Sequence, residues 1–140
     1  MKIERFEDIE AWQLARQLTH TIYALTHKPD FAKDHGLKNQ IRNAAGSSMH
    51  NIAEGFDSET NIEFIRFLRY AKRSCTEVQS ELHMAHDQKY ITSQDFKAAY
   101  EQARITRATI RAFINYLRKY EDAKSHARKP PPLPTVNREP

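Results

Sequence analysis

The stretch that decides the fold is Gln40–Phe56, QIRNAAGSSMHNIAEGF, followed after a short polar link by Glu63–Leu82, EFIRFLRYAKRSCTEVQSEL. At 3.6 residues per turn, Leu37, Ile41, Ala44, Ala45, Ser48 and Ile52 fall on one face of a first helix. Phe64, Phe67, Leu68, Ala71, Cys75, Val78, Leu82 and Ala85 fall on one face of a second. Facing apolar stripes joined by a short link predict an antiparallel helical hairpin. Gly55 is placed as the residue that ends the first of these helices. Thr60 and Glu63 have the spacing of a capping box that starts the next.

Working outward, Trp12, Ala15, Leu18, Ile22 and Leu25 repeat at three and four residues. They predict an N-terminal helix, capped by Asp8 and running to about Thr26. Lys28-Pro29-Asp30 breaks it, and Phe31 packs under the connection. Asp34 or His35 opens the helix that leads into the decisive stretch. Beyond it, Thr92 and Asp95 form a second box. Phe96, Ala99, Ala103, Thr106, Ile110, Phe113 and Leu117 then line a last helix that fades near Tyr120. The chain is therefore read as all-α: an antiparallel up-down-up-down four-helix bundle over residues 1–122. Residues 123–140 are read as a disordered, basic, Pro-rich tail, since KSHARKPPPLPTVNREP has no periodicity. Within it, Arg128, Pro131 and Pro134 have the spacing of a polyproline ligand, but plain composition explains the match.

Composition agrees with this reading. A chain of 140 residues fits one domain, which buries roughly 68–70% of its unfolded surface. Only three glycines and six prolines occur, and five of the prolines lie at or after position 130. Cys75 is the sole cysteine, so no intramolecular disulfide can form, and its place on an apolar face marks it as core. The N-terminus is charged, and no run approaches the ~20 apolar residues of a membrane helix. No membrane association and a cytoplasmic location are expected. The net charge of +4 is uneven: residues 1–92 carry 12 basic and 13 acidic side chains, residues 93–140 carry 10 and 5. A polyanionic partner is compatible with that bias.

The specific segments are Phe6, Ile9, Trp12 and Ala15; Gly36-Leu37, Gln40-Ile41-Arg42 and Ala44-Ala45; Ser47 and Asn51-Ile52-Ala53-Glu54-Gly55; and Glu63-Phe64, Arg66-Phe67-Leu68 and Ala71. Together they resemble the 23S rRNA intervening-sequence family of small four-helix-bundle proteins, over about Phe6–Tyr120. Met49 and Arg73 stand where that family usually has proline and glycine. The resemblance implies a bundle, commonly a homopentamer, with no established enzymatic activity. The family is distantly similar to the accessory variability protein of diversity-generating retroelements, a basic pentamer that works with a reverse transcriptase.

Two clusters carry the functional expectations. Gln40, Ser47, Asn51 and Glu54 flank the apolar stripe of the second helix. They are read as a polar network fixing register or assembly, with a binding strip as the alternative. Arg104, Arg107, Arg111 and Arg118 form a stripe on the last helix, with Tyr100 nearby. It could track nucleic-acid phosphates while the tyrosine stacks on a base. Arg66, Arg69 and Arg73 are read as a solvated face. His83 and His86, three apart, lack an evident third metal ligand. The di-iron bundle pattern needs Glu three residues before His; here those positions hold Gln17, Ala24, Ala32, Ser47, Ser80, His83 and Ala123. No phosphate loop or nucleophile elbow occurs. The expectation is a non-enzymatic oligomeric scaffold or adaptor without cofactor or metal. Its partners would be copies of itself and RNA, DNA or a nucleic-acid-processing protein. The alternative is a nucleic-acid-binding accessory protein, and a metal or small-molecule enzyme ranks last.

Overall fold

A computed structural model of the chain describes residues 2–126. A 3-10 turn at Phe6–Asp8 precedes α1 (Glu10–Thr26), α2 (Pro29–Lys33), α3 (His35–Phe56), α4 (Asn61–Asp87) and α5 (Ser93–His126). No strand is found among the described residues. α1, α3, α4 and α5 pack as a closed ring in which α3 touches α1 and α4, and α5 touches α4 and α1. This is the expected four-helix bundle. The stripes read from the sequence meet at its centre: Leu18, Ile22, Ile41, Ile52, Phe64, Leu68, Leu82, Ile110 and Leu117 are at most 2% exposed.

Several local expectations are corrected. Asp8 does not cap α1; its carboxylate accepts from the backbone N–H of Glu4 and Arg5 and so closes the preceding 3-10 turn. Ile9 occupies the cap position instead. The Pro29 break is real, but Pro29 then begins the short α2, where a missing N–H costs nothing. Phe31 on that turn is fully buried, stacked on Tyr90 at 5.3 Å. The last helix continues past Tyr120 to His126, so residues 123–126 are helical rather than tail. Residues 127–140, including the Arg128–Pro134 spacing, lie outside the described residues.

Gly55 is the most informative correction. It does not end α3 in a left-handed turn. It is helical, with Asp57 as the C-cap, and no glycine has positive φ. A Cβ at Gly55 would sit 2.7 Å from Phe64 Cδ1 and 2.8 Å from Phe67 Cβ. The glycine is there because α4 crosses α3 too closely for any side chain.

Caps fix the other ends. Asp34 Oδ1 accepts from Leu37 N–H (3.1 Å) and its Oδ2 accepts from the Tyr90 hydroxyl (2.9 Å), tying the start of α3 to the α4–α5 turn. Thr60 accepts from Glu63 N–H, but the Glu63 carboxylate binds Arg66 at 2.7 Å instead of reaching back. The Thr92–Asp95 box has both halves, and Asp95 also pairs with Lys28 at 2.9 Å. That lysine, with the Thr92 bonds, holds the Asp95 carboxyl below its ordinary range.

Candidate functional site

The polar strip of α3 divides. Asn51 Nδ2 donates to the Ser47 carbonyl and hydroxyl, both at 2.9 Å. Ser74 on α4 shares a hydroxyl–hydroxyl hydrogen bond with Ser47 Oγ at 3.0 Å. Ser47 and Asn51 thus serve the α3–α4 contact, whose small residues leave room for hydroxyls and little else. Gln40 and Glu54 are exposed and make no hydrogen bond within this group. Glu54 borders a shallow polar groove with Asn43, Gly46, His50 and Asn51, beside Arg42 and Tyr23. There Arg42 donates to Thr26 Oγ1 (2.8 Å) and lies 4.3 Å over the Tyr23 ring. The Ser74–Ser47 and Arg42 contacts each lock one helix against another.

The arginine stripe of the last helix also divides. Arg104 is held by both oxygens of Glu101, at 2.7 and 2.6 Å, which neutralises it. Tyr100 is half-buried, with Phe96 (5.4 Å) and His83 (5.5 Å) packed against its ring. His86 stacks on the same Phe96 at 5.1 Å, and its Nε2 lies 3.1 Å from Ser93 Oγ. The histidine pair therefore belongs to an aromatic cluster. Among the described residues, no group of three His, Cys, Asp or Glu side chains could hold a metal ion. Arg118 is exposed, about 10 Å along the helix from Arg111.

What remains is a cluster that spans two helices. Arg107 donates from Nε to Thr76 Oγ1 of α4 at 3.0 Å. This brings α5 against the α4 residues that sequence periodicity assigned to a bland solvated face. Lys72 is half-buried at the seam. Burial first, and then the charges of Arg107, Arg111, Arg69 and Arg73, push its ammonium below the ordinary lysine value. None of these five cations forms an ion pair among the described residues. Five positive groups are thus gathered with none of them in an ion pair, which self-repulsion makes costly unless an anion completes the set. A lysine with this role was not identifiable from helix period alone, because it depends on the register between α4 and α5.

Two buried groups lie outside this patch. Cys75 is fully buried and its thiol is pushed up to about 12 by that burial, so it is an inert core residue. Glu81 is 7% exposed, with Oε1 lacking a hydrogen-bond partner. Burial, helped by Glu77, pushes its carboxyl up to about 7.

Comparison with known proteins fits the geometry. The model of the 23S rRNA-intervening sequence protein family matches residues 7–112, and the chain belongs to that family. A crystal structure of a protein of unknown function from the S23 ribosomal protein family of Bacteroides thetaiotaomicron is similar to this chain. It has a TM-score of 0.69 and 16% identity, covering 74% of this chain and 97% of that one. At that identity the likeness concerns the fold alone. No curated protein matches. Among the described residues, no helix is long and apolar enough to cross a membrane.

Proposed function

We propose that this 23S rRNA-intervening sequence protein is a non-enzymatic helical scaffold whose α4–α5 face binds the phosphate backbone of a nucleic acid. The observation that carries the reading is the unpaired cluster of Arg69, Lys72, Arg73, Arg107 and Arg111. Phosphates would supply the missing counter-charge, and the helical frame carries the five groups on one face. A cytoplasmic location belongs to the same reading.

The test is a gel shift at low salt with structured RNA and with duplex DNA. Replacing Lys72, Arg107 and Arg111 together by glutamine is expected to weaken the shift. An unchanged shift overturns the assignment.

Self-assembly is the second part of the proposal, supported by exposed apolar side chains at Ile62 (69%), Met84 (52%) and Ile105 (42%). A homo-oligomer, and a pentamer by the family resemblance, would repeat the cationic face and raise avidity. Light scattering in solution checks this: a mass of 16.4 kDa, that of one chain, would refute it.

A further inference from the structure

The cationic seam has a neighbour that phosphate binding alone does not explain. Tyr70 is 37% exposed on the outer face of α4. Helical spacing orders that face: from Tyr70 the surface passes through Arg73 and Arg69 to Lys72, and then to α5. The Arg73 guanidinium lies 5.4 Å from the Tyr70 ring centre, and Arg66 lies at 6.0 Å. Phe67 meets the ring edge-on at 6.1 Å, and the Ser74 hydroxyl donates to the Tyr70 carbonyl at 3.0 Å. An aromatic ring is thus braced at the rim of a positive patch. Arg66 is held by Glu63, whereas Arg73 is exposed and in no ion pair among the described residues, so Arg73 can swing to a phosphate and leave a ring face free. This is the role expected of Tyr100, which its own neighbours occupy.

Resting on the phosphate-binding reading above, we propose that Tyr70 is a stacking platform for an unpaired base. The α4–α5 face would then take single-stranded segments of RNA or DNA in preference to duplex. Every base has a π-face, so such a platform tolerates any sequence. In a duplex those faces are already stacked on their neighbours and cannot reach the tyrosine. Arg73, Arg69 and Lys72 would follow the backbone from the stacked nucleotide toward Arg107 and Arg111.

The experiment measures fluorescence anisotropy of the full-length chain with labelled strands of about twelve nucleotides. RNA, DNA and the corresponding duplexes are compared, using wild type, Tyr70→Ala and Tyr70→Phe. Tyr70→Ala is expected to weaken single-strand binding about tenfold and duplex binding less than about twofold. Tyr70→Phe, which keeps the ring, is expected to retain wild-type preference. Equal weakening on single strands and duplex, or no change on either, overturns the platform. In both cases the phosphate reading stands, because the Lys72, Arg107 and Arg111 substitutions judge it separately. Binding of neither form by wild type removes the phosphate reading and the platform together.

Discussion

The two sides of α4 obey opposite rules. Toward α3 its contact is made of small groups and hydroxyls: Gly55 under Phe64 and Phe67, and Ser47 bonded to Ser74 and Asn51. Each polar atom named there has a partner on the neighbouring helix or its own. Away from α3, the same helix carries Arg69, Lys72 and Arg73 beside Arg107 and Arg111, and none of the five is in an ion pair among the described residues. A fold selected only for stability would alternate charges on that side. The difference separates residues that make the bundle from residues that burden it, and only the second kind points to a partner.

If the α3 side is governed by close approach, Gly55→Ala should have the largest effect on stability. In an ordinary helix interior this change gains roughly 0.5–1 kcal/mol. Here the new methyl meets Phe64 and the Cβ of Phe67 inside the van der Waals limit, so overpacking of about 1–3 kcal/mol should win. Urea unfolding should show a lower midpoint with an unchanged slope. A more stable Gly55→Ala protein would mean that glycine does only backbone work there.

Glu81 sharpens the comparison, because it is a charged residue on the packed part of α4. Its folded value of about 7 lies above the ordinary 4.5. Between those values the folded chain holds more protons than the unfolded one, so stability falls as pH rises through that window and stays lowered above about pH 7. Glu81→Gln should therefore gain about 1–2 kcal/mol at pH 8, after allowing for solvent screening at the helix margin. The gain should vanish near pH 4. An equal gain at both pH values would assign the effect to packing rather than ionisation.

The smallest stability effect is expected on the outer side. Replacing Lys72, Arg107 and Arg111 by glutamine should leave thermal stability within about 0.5 kcal/mol of wild type, or slightly raise it by relieving repulsion. A large loss would show that these cations hold the bundle, and the contrast between the two sides would fail.

The stripes of all four long helices were legible because burial follows the helical period: Leu18, Ile41, Leu68 and Ile110, each placed by spacing, are fully buried. The family was legible from Asn51–Gly55 and its flanking segments, and the matched span of residues 7–112 agrees. Gly55 was misread as a helix end because sequence reports that a glycine is needed, not whether φ or a neighbour demands it. The Arg104 pairing with Glu101 sits three residues apart on one helix and was within reach of local spacing. The clustering of Lys72 with Arg107 and Arg111 was not, since it depends on how α4 and α5 slide against each other. Tyr100 was read as the stacking ring from its place beside the arginine stripe, and only packing reveals that Phe96 and His83 lie against it.

The central claim is that the unpaired cations on α4 and α5 await phosphates, and salt dependence tests it most directly. Binding of full-length protein to a labelled nucleic acid is measured from about 50 to 200 mM salt, for wild type and for the Lys72, Arg107 and Arg111 glutamine variant. Each phosphate contact contributes about 0.7–0.9 to the slope of log affinity against log salt. The variant is expected to bind more weakly, with a slope shallower by about 2. Equal affinity and equal slope in the two proteins would contradict it.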